Sequence, residues 1–389
     1  MKRLLFFFIC SLFIFPVNAE IPIIAFSGIP VDQCTPDRFK EFREAGFDVS
    51  ITYCGNKDAN EIKAILDIAQ KQKVKMLIIS TILNEHPEAI APVLKNHQAL
   101  FGYILEDEPT EKDFPRLKTL FQKVRSFDKN AVCYINLLPN CGVEIPGKEE
   151  NGAVYNRYLQ LASTIGAEQI SFDNYPILKT GIRDFWYRNL ESIRQESQRT
   201  GRPFWAFVLC TPHYHYPQPN LASLRLQIYS NLAYGAKAIQ YFTYWTPQPY
   251  QEYDYHNGPI SLDGKRTSTY ELVKLMNQEL RGIIPLFDGA EIVSVNHLLR
   301  IPNGTSNLKS SPLNINSLKV IGRKGAIVST MNKNGHKYML IVNKDHMQSM
   351  RLLIKAKNTV RQITKNLSEV AVKESYTLSG GDMLIFRLQ

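Results

Sequence analysis

The chain has 389 residues, of which 44% are hydrophobic and 21% are charged, which is the usual composition of a globular protein. The formal net charge is +10, but the basic residues are scattered, as in "GKRTSTYELVK". This pattern argues against nucleic-acid binding and leaves an affinity for acidic glycans or anionic surfaces open. The cysteines form no CxxC pair, which argues against a zinc or thioredoxin-like site.

The first 19 residues have the features of a secretory signal peptide. Lys2 and Arg3 precede an almost unbroken apolar stretch from Leu4 to Phe15, and small residues follow up to Ala19. The apolar stretch is too short to span a bilayer comfortably, so we expect cleavage after Ala19 and a secreted or periplasmic protein. No later segment is long and apolar enough to predict a membrane span.

Residues 20–287 alternate short apolar runs with longer amphipathic segments. The runs are strand-length, rich in β-branched and aromatic residues and apolar on both faces, which is typical of buried parallel strands. They are "IPIIAFSGIP", "FDVSITYCG", "VKMLIIST", "LFGYILEDEP", "AVCYINLLP", "QISFDNYPI", "PFWAFVLCTP" and "AIQYFTYWTP". In the first helical segment Thr35 is a suitable N-cap, Pro36 suits the first helical position and Gly46 suits the stop.

Eight strand–helix units in succession predict a (β/α)8 TIM barrel over residues 20–287, with a doubly wound sheet as the alternative. After residue 287 the pattern changes to alternating apolar and polar residues, with "NKNG" as a hairpin turn. Residues 288–389 are therefore predicted to form a small C-terminal antiparallel β-sandwich domain.

Three acidic residues, Glu106, Asp107 and Glu108, end the fourth apolar run. A barrel places its active site at the carboxyl ends of its strands, so these acids are expected at the catalytic rim. Strict alternation would put Glu106 and Glu108 on one side and Asp107 on the other, unless a bulge or the turn redirects them. The alternative is that the acids cap the following helix.

The sixth run ends in "SFDNYP", where Ser171, Asp173 and Tyr175 share one face. Polar residues on one face of a barrel strand favour an inward orientation, so Asp173 is the candidate for a second carboxylate in the same pocket. A turn formed by Asp173 and Asn174 is the alternative interpretation. Two carboxyl groups across a cleft are the minimal equipment for glycoside hydrolysis.

Further candidates for substrate contacts stand at or after strand ends. Aromatic rings stack on the apolar faces of sugars, and their polar groups fix hydroxyl positions. The predicted substrate-binding residues are Tyr175, Asn174, Trp205, Tyr241, Tyr244, Trp245 and His213. His213 and His215 could also bind a metal, but no third ligand stands near them in the sequence, so no metal site and no cofactor are predicted.

These segments together resemble barrel glycoside hydrolases. The likeness rests on "GYILEDEP", "ISFDNYP" and "YFTYW" after strands four, six and eight and on the terminal β-domain. It is closest to family-42-like β-galactosidase relatives and to uncharacterised glycoside hydrolases of Bacteroidetes. The resemblance implies that Glu108 is the general acid/base, with Asp107 in place of the usual Asn.

The resemblance also implies a nucleophilic Glu after strand seven, where this chain has Cys210 and Thr211. Three alternatives follow: Asp173 is the partner of Glu108; Asp107 and Glu108 act as an adjacent pair, as in hexosaminidases whose substrate acetamido group is the nucleophile; or the barrel binds glycans without cleaving them.

The sequence thus predicts a secreted glycoside hydrolase acting on O-glycosidic bonds of an oligo- or polysaccharide. Glu108 would be the general acid, Asp173 the nucleophile or base, and Asp107 would orient Glu108 or raise its pKa. The expected partner is a carbohydrate substrate and not a nucleic acid, and the oligomeric state is left open.

Overall fold

A computed structural model describes residues 21–141, 152–183 and 185–389. The predicted signal peptide therefore lies outside the described residues. Among the residues described, no helix combines the length and the apolar character that a membrane crossing requires.

Eight parallel strands close into a barrel in sequence order, which confirms the (β/α)8 prediction and excludes the doubly wound sheet. The strands are β1 (Ile23–Phe26), β2 (Val49–Gly55), β3 (Lys75–Ser80), β4 (Leu100–Asp107), β5 (Val132–Leu137), β6 (Ile170–Phe172), β7 (Phe204–Leu209) and β8 (Ala238–Phe242). All eight lie within the predicted apolar runs, because a strand covered by helices outside and by side chains inside has to be apolar on both faces.

Helices surround this barrel. They are α1 (Pro36–Glu44), α2 (Ala59–Lys71), α3 (Thr81–Glu85), α4 (Pro87–Leu94), α5 (Phe114–Phe127), α6 (Ala153–Ala162), α7 (Trp186–Thr200), α8 (Leu221–Tyr234) and α9 (Ser268–Phe287). Helix α1 begins as predicted: the Thr35 hydroxyl accepts a hydrogen bond from the Arg38 N–H (3.3 Å) and Pro36 is the first helical residue. Gly46 follows the helix with φ of 88°, a conformation that costs glycine little.

The barrel interior has an apolar lower layer and a polar upper layer. The lower layer includes Ile24, Ile51, Leu77, Ile104 and Trp205. Above it, towards the carboxyl ends of the strands, buried polar side chains replace the aliphatic ones. A packed lower layer closes the barrel from below, so a ligand can enter from the upper rim alone.

Residues after α9 form antiparallel sheets, which confirms the predicted β-sandwich. The strands are β9 (Glu291–Leu298), β10 (Ile315–Ile321), β11 (Ala326–Lys333), β12 (His336–Asn343), β13 (Met350–Ala356), β14 (Arg361–Ile363), β15 (Glu369–Ala371), β16 (Ser375–Leu378) and β17 (Met383–Arg387). One sheet has the order β9-β11-β12-β17-β14-β15 and the other the order β10-β13-β16. Asn334 and Gly335 join β11 to β12 with positive φ at both residues (49° and 79°), as the predicted hairpin turn requires.

The larger of these sheets packs on α8. The Ser329 hydroxyl donates to the carbonyl of Ala233 (2.8 Å), and the Tyr234 hydroxyl and His297 Nε2 lie 2.8 Å apart. The two parts of the chain thus share buried hydrogen bonds. The five described cysteines are all free thiols: Cys34, Cys54, Cys133, Cys141 and Cys210.

Candidate active site

A β-bulge at the end of β4 decides which acids enter the barrel. Ile104 pairs with Tyr134 and Asp107 with Asn136, so β4 has one residue more than β5 over this span. The bulge turns Asp107 towards the cavity and Glu106 away from it, where Glu106 forms an ion pair with Arg116 (2.6 Å). Strict alternation, which would place Glu106 and Glu108 on one side and Asp107 on the other, therefore fails here, and the bulge that the sequence analysis allowed for redirects the side chains.

Glu108 reaches the same cavity by a different route. Its backbone has φ of 51°, a left-handed conformation that is uncommon for residues other than glycine and that concentrates at functional sites. The Glu108 N–H donates to the carbonyl of Asn136 (2.8 Å), which holds the strained turn against β5. Two adjacent acids, Asp107 and Glu108, thus both line the cavity.

Asn136, at the end of β5, ties two of the carboxyl groups together. Its Nδ2 donates to Asp107 Oδ1 (3.0 Å) and to Asp173 Oδ1 (3.1 Å). Its Oδ1 accepts a hydrogen bond from the Ser171 hydroxyl (3.0 Å). The carboxyl groups of Glu108 and Asp173 interact electrostatically, and Asp107, Glu108 and Asp173 all line the same cavity.

A buried polar network supports Asn136 from below. The Tyr134 hydroxyl donates to Gln240 Oε1 (2.8 Å), Gln240 Nε2 donates to the Ser171 hydroxyl (2.9 Å), and the Tyr134 and Ser171 hydroxyls lie 2.8 Å apart. A closed ring of hydrogen bonds of this kind fixes side-chain orientations. Sequence analysis missed Asn136, and the available clue was a single amide at the end of the apolar run "AVCYINLLP".

The carboxyl cluster stands apart from the ion pairs in the part of the chain that the structure describes. Within the described ranges no arginine or lysine forms an ion pair with Asp107, Glu108 or Asp173. Burial raises the pKa of Asp107 to about 6, opposed by the hydrogen bond from Asn136 and reinforced by the charges of Glu108 and Glu106. Asp107 and Glu108 are exposed to solvent in the cavity and Asp173 is half-buried. The surrounding protein still removes part of the solvent from all three carboxyl groups.

Glu108 and Asp173 form a proton-sharing pair. Burial raises the pKa of Glu108, and the interaction with Asp173 opposes this rise. Burial, and next the charges of Glu108 and Asp107, raise the pKa of Asp173 well above its ordinary value. Neighbouring like charges cannot both ionise, so the pair retains one proton at a pH where isolated carboxyl groups have lost theirs.

The cavity above these acids has a volume of about 300 Å³. Its walls are largely aromatic: Phe26, Tyr175, Phe207, Tyr216, Phe242, Tyr253 and Tyr255. An aromatic wall above a polar floor is the surface that a sugar ring fits, since its faces are apolar and its rim carries hydroxyls.

Three of the predicted substrate-binding residues line this cavity. Tyr175 lies edge-on to Tyr216 with ring centroids 5.7 Å apart. Asn174 donates to the side-chain carbonyl of Asn189 (2.7 Å), so its amide also fixes the strand end. His213 Nδ1 lies 2.9 Å from the carbonyl of Thr211, and burial lowers the pKa of His213, which favours the neutral imidazole.

Four predicted aromatic contacts lie away from the cavity wall. On β8 Gln240 and Phe242 face inward, so Tyr241 faces the helices, where its ring centroid lies 5.3 Å from that of Phe47. Tyr244 packs on Phe42, with ring centroids 4.8 Å apart.

Trp205 and Trp245 also lie away from the cavity wall, each for a different reason. Trp205 faces inward but belongs to the lower layer, with its ring centroid 5.8 Å from that of Tyr134. Trp245 lies beyond the strand end, under the guanidinium of Arg38, 5.1 Å from the ring centroid.

The HxH pair splits between the cavity and its edge, because His213 lines the cavity and His215 packs beside Tyr214, with ring centroids 3.5 Å apart. In the part of the chain that the structure covers, no group of three or more His, Cys, Asp or Glu side chains is arranged to hold a metal ion.

Comparison with known proteins supplies a fold likeness. No family model matches the chain, and no curated protein does. The β-galactosidase from Bacillus circulans sp. alkalophilus superposes with a TM-score of 0.60 at 10% identity, over 90% of this chain and 96% of that one. A catalytic mutant of the GH42 β-galactosidase Gan42B from G. stearothermophilus gives a TM-score of 0.55 at 8% identity, over 95% and 98% of the two chains. The chain has a (β/α)8 glycoside-hydrolase-like fold.

A third similar structure is larger than this chain. The β-galactosidase from the psychrophilic Marinomonas ef1 superposes over 69% of this chain and 60% of its own length, with a TM-score of 0.49 and 10% identity. This chain thus spans about three-fifths of that protein.

Proposed function

We propose that the protein is an exported glycoside hydrolase that cleaves O-glycosidic bonds of an oligo- or polysaccharide with the carboxyl groups of Glu108, Asp173 and Asp107. One observation carries the proposal: three carboxyl groups without a cationic partner in the described residues line an aromatic-walled cavity at the carboxyl end of a barrel. Glycosidases generally use a pair of carboxyl groups next to the bound sugar, and the aromatic walls of this cavity suit a sugar ring. Export rests on the predicted signal peptide over residues 1–19.

Glu108 is the proposed general acid. Glu108 and Asp173 share a proton, and a raised pKa keeps that proton in place near neutral pH, where a leaving glycosidic oxygen needs it. Asn136 anchors Asp107 and Asp173 but not Glu108. Glu108 is therefore the member of the cluster that is free to follow the leaving oxygen.

The interaction between Glu108 and Asp173 has a mechanistic consequence. Catalytic carboxyl groups stand roughly 5 Å apart in retaining glycosidases and roughly 6.5–9.5 Å apart in inverting ones. If Glu108 and Asp173 hydrogen-bond to each other, no space remains between them for an anomeric carbon or a water, and the substrate has to separate them. When Glu108 leaves with the proton, Asp173 stays behind as a carboxylate held by Asn136, ready to act as nucleophile or base.

Replacement of the proposed acid tests the assignment. We expect Glu108→Gln to lower kcat on unactivated oligosaccharides by about 10³-fold, within the range that general acid catalysis contributes. Glu106→Gln is the matched control, since Glu106 is two residues away and faces Arg116 outside the cavity. Turnover by Glu108→Gln at the wild-type rate would overturn the proposal.

Leaving-group dependence separates the acid role from a general loss of structure. A dinitrophenyl glycoside needs no protonation to leave, so Glu108→Gln should retain far more of its activity on such a substrate than on an oligosaccharide. Equal losses on both substrates would show that Glu108 serves binding or folding and not proton donation.

A glycan-binding barrel without turnover is the second candidate. The observation that favours it concerns the end of β7, where the family resemblance implies a carboxylate. Cys210 and Thr211 stand there instead, and both are buried and hydrogen-bonded to Thr243. This candidate predicts glycan affinity that survives Glu108→Gln and no product from a broad panel of glycosides.

A further inference from the structure

A second cavity, of about 420 Å³, lies between the barrel and the β-sandwich domain. Its barrel side is formed by residues 182–183 and 185–188, and its other side by residues 300–303 after β9 together with Lys324 and Lys344. We call it the cationic groove, and its lining is Ile182, Arg183, Phe185, Tyr187, Arg188, Arg300, Ile301, Pro302, Asn303, Lys324 and Lys344.

Five side chains of the groove are basic and none of its described lining residues is acidic: Arg183, Arg188, Arg300, Lys324 and Lys344. Burial lowers the pKa of Lys344 to about 7, so the positive charge that faces a ligand comes chiefly from Arg183, Arg300 and Lys324. The acid next in sequence to Lys344, Asp345, forms an ion pair with Arg323 (2.9 Å). Like charges gathered in a concave site repel one another and focus a positive potential into it. An anion is the ligand that would relieve this repulsion.

The groove is rigidly built. Lys344 is only 3% exposed and donates to the carbonyls of Leu299 and Arg300, both at 2.9 Å. Gly304 lets the same loop lie directly on the stem of Arg188, since a Cβ atom at that position would come 2.8 Å from Arg188 Cγ. Lys344 and the stem of Arg188 are thus held in place before any ligand arrives.

Arg183 connects the groove to the carboxyl-bearing cavity, because it lines both. Its Nη2 donates to the Tyr216 hydroxyl (2.7 Å), and its guanidinium lies 5.5 Å from the Tyr216 ring centroid and 5.9 Å from that of Phe185. Its Nε is buried without a hydrogen-bond partner in the described structure. A saccharide that leaves the cavity past Tyr216 therefore meets the groove next.

We propose that the cationic groove is a subsite for a negatively charged sugar, so that the substrate is an acidic glycan that carries a carboxylate or a sulfate group. The proposal rests on the proposed hydrolase function and adds the substrate class to it. Arginine and lysine donors bind both groups through charge-assisted hydrogen bonds, so the experiment has to distinguish uronic acids from sulfate esters.

The test measures binding with the Glu108→Gln protein, so that cleavage does not interfere. Neutral, uronic-acid and sulfated oligosaccharides of matched backbone are titrated by calorimetry at fixed ionic strength. We expect one charged series to bind at least about 10-fold more tightly than its neutral counterpart. That preference should disappear in Arg300→Gln/Lys324→Gln and persist in Lys40→Gln/Lys95→Gln, which removes two exposed lysines elsewhere.

The outcomes separate the two proposals. Equal binding of neutral and charged sugars, or a preference that survives Arg300→Gln/Lys324→Gln, overturns the acidic-glycan subsite. Turnover of neutral glycosides by the wild-type protein would then still support the hydrolase. A preference lost in the groove variant, together with no turnover by the wild-type protein on any charged or neutral glycoside, supports the subsite and refutes the hydrolase.

Discussion

Two clusters of acidic side chains in this molecule show opposite electrostatic behaviour. At the junction of α8, α9 and the β-sandwich, Glu279 contacts Arg225 (2.5 Å) and Lys365 (2.7 Å), and Lys365 also contacts Asp382 (2.6 Å). Burial alone would raise the pKa of Glu279, but the bonds from its cationic partners lower it to about 2. Asp107 and Glu108 of the barrel cluster are more open to solvent than Glu279, yet the pKa values of the cluster are raised.

The difference separates the acidic residues that stabilise the fold from those that can donate a proton. A carboxylate fixed by cations stabilises the fold and has no proton to give. Carboxyl groups held together without cations cost folding free energy, and in return they hold a proton near neutral pH. Three experiments test this contrast.

The largest effect is expected from Asp173. Asp173→Ala removes the proposed nucleophile or base together with the partner that shares the proton of Glu108, so kcat should fall by about 10³-fold, equivalent to about 4 kcal/mol of barrier. Kinetics with and without azide report the role, because a small anion restores turnover where a carboxylate nucleophile is missing. Asp263→Asn, an exposed acid paired with Lys265, serves as the control; a wild-type rate for Asp173→Ala would remove Asp173 from the mechanism.

The next effect concerns the paired cluster. Glu279→Gln leaves Arg225 and Lys365 half-buried without their shared carboxylate, so we expect the free energy of unfolding to fall by about 3 kcal/mol. Urea denaturation measures this loss, and the exposed Glu374→Gln variant should stay within about 0.5 kcal/mol of the wild type. A stability unchanged by Glu279→Gln would show that the ion-pair network is dispensable for the fold.

The smallest expected effect is a pH dependence of stability. Its sign for the barrel cluster is opposite to that for Glu279, because the pKa of Asp107 is raised and that of Glu279 is lowered. The pKa of Asp107 is raised from 3.8 to about 6, so between these values the native state keeps a proton that the unfolded state has lost. Stability contributed by this proton is lost as the pH rises through the window, by about 1 kcal/mol once solvent at the cavity surface is allowed for. Urea denaturation of wild type and Asp107→Asn between pH 4 and pH 7 should show the gap; parallel curves would contradict it.

The fold was predictable because its determinants are local. Each buried parallel strand is an apolar run in the sequence, and the beginning of α1 follows from Thr35 and Pro36 alone. The hairpin at Asn334 and Gly335 likewise follows from two residues whose backbone tolerates positive φ.

The site was predictable only in part, because its determinants are pairings between distant strands. The rule that barrel active sites lie at the carboxyl ends of the strands singled out Glu108 and Asp173, and both side chains line the same cavity. The orientation of the Asp107 side chain depends on the bulge against β5. Tyr241 points away from the barrel interior because it is next in sequence to Gln240, which points inward. Asn136 escaped notice because one amide in an apolar strand has no pattern around it.

The bulge in β4 also bears on how this protein can be compared with others. Asp107 is three residues after Ile104 in β4, whereas their partners Tyr134 and Asn136 are two residues apart in β5. In a barrel without this bulge, the inward carboxylate would stand one residue nearer to the residue equivalent to Ile104. Correct alignment of the two sequences then needs a gap inside a core strand, where insertions are normally disfavoured. Sequence comparison therefore loses register first at the residues that carry the chemistry, and superposition of the strands is the safer guide to equivalent acids.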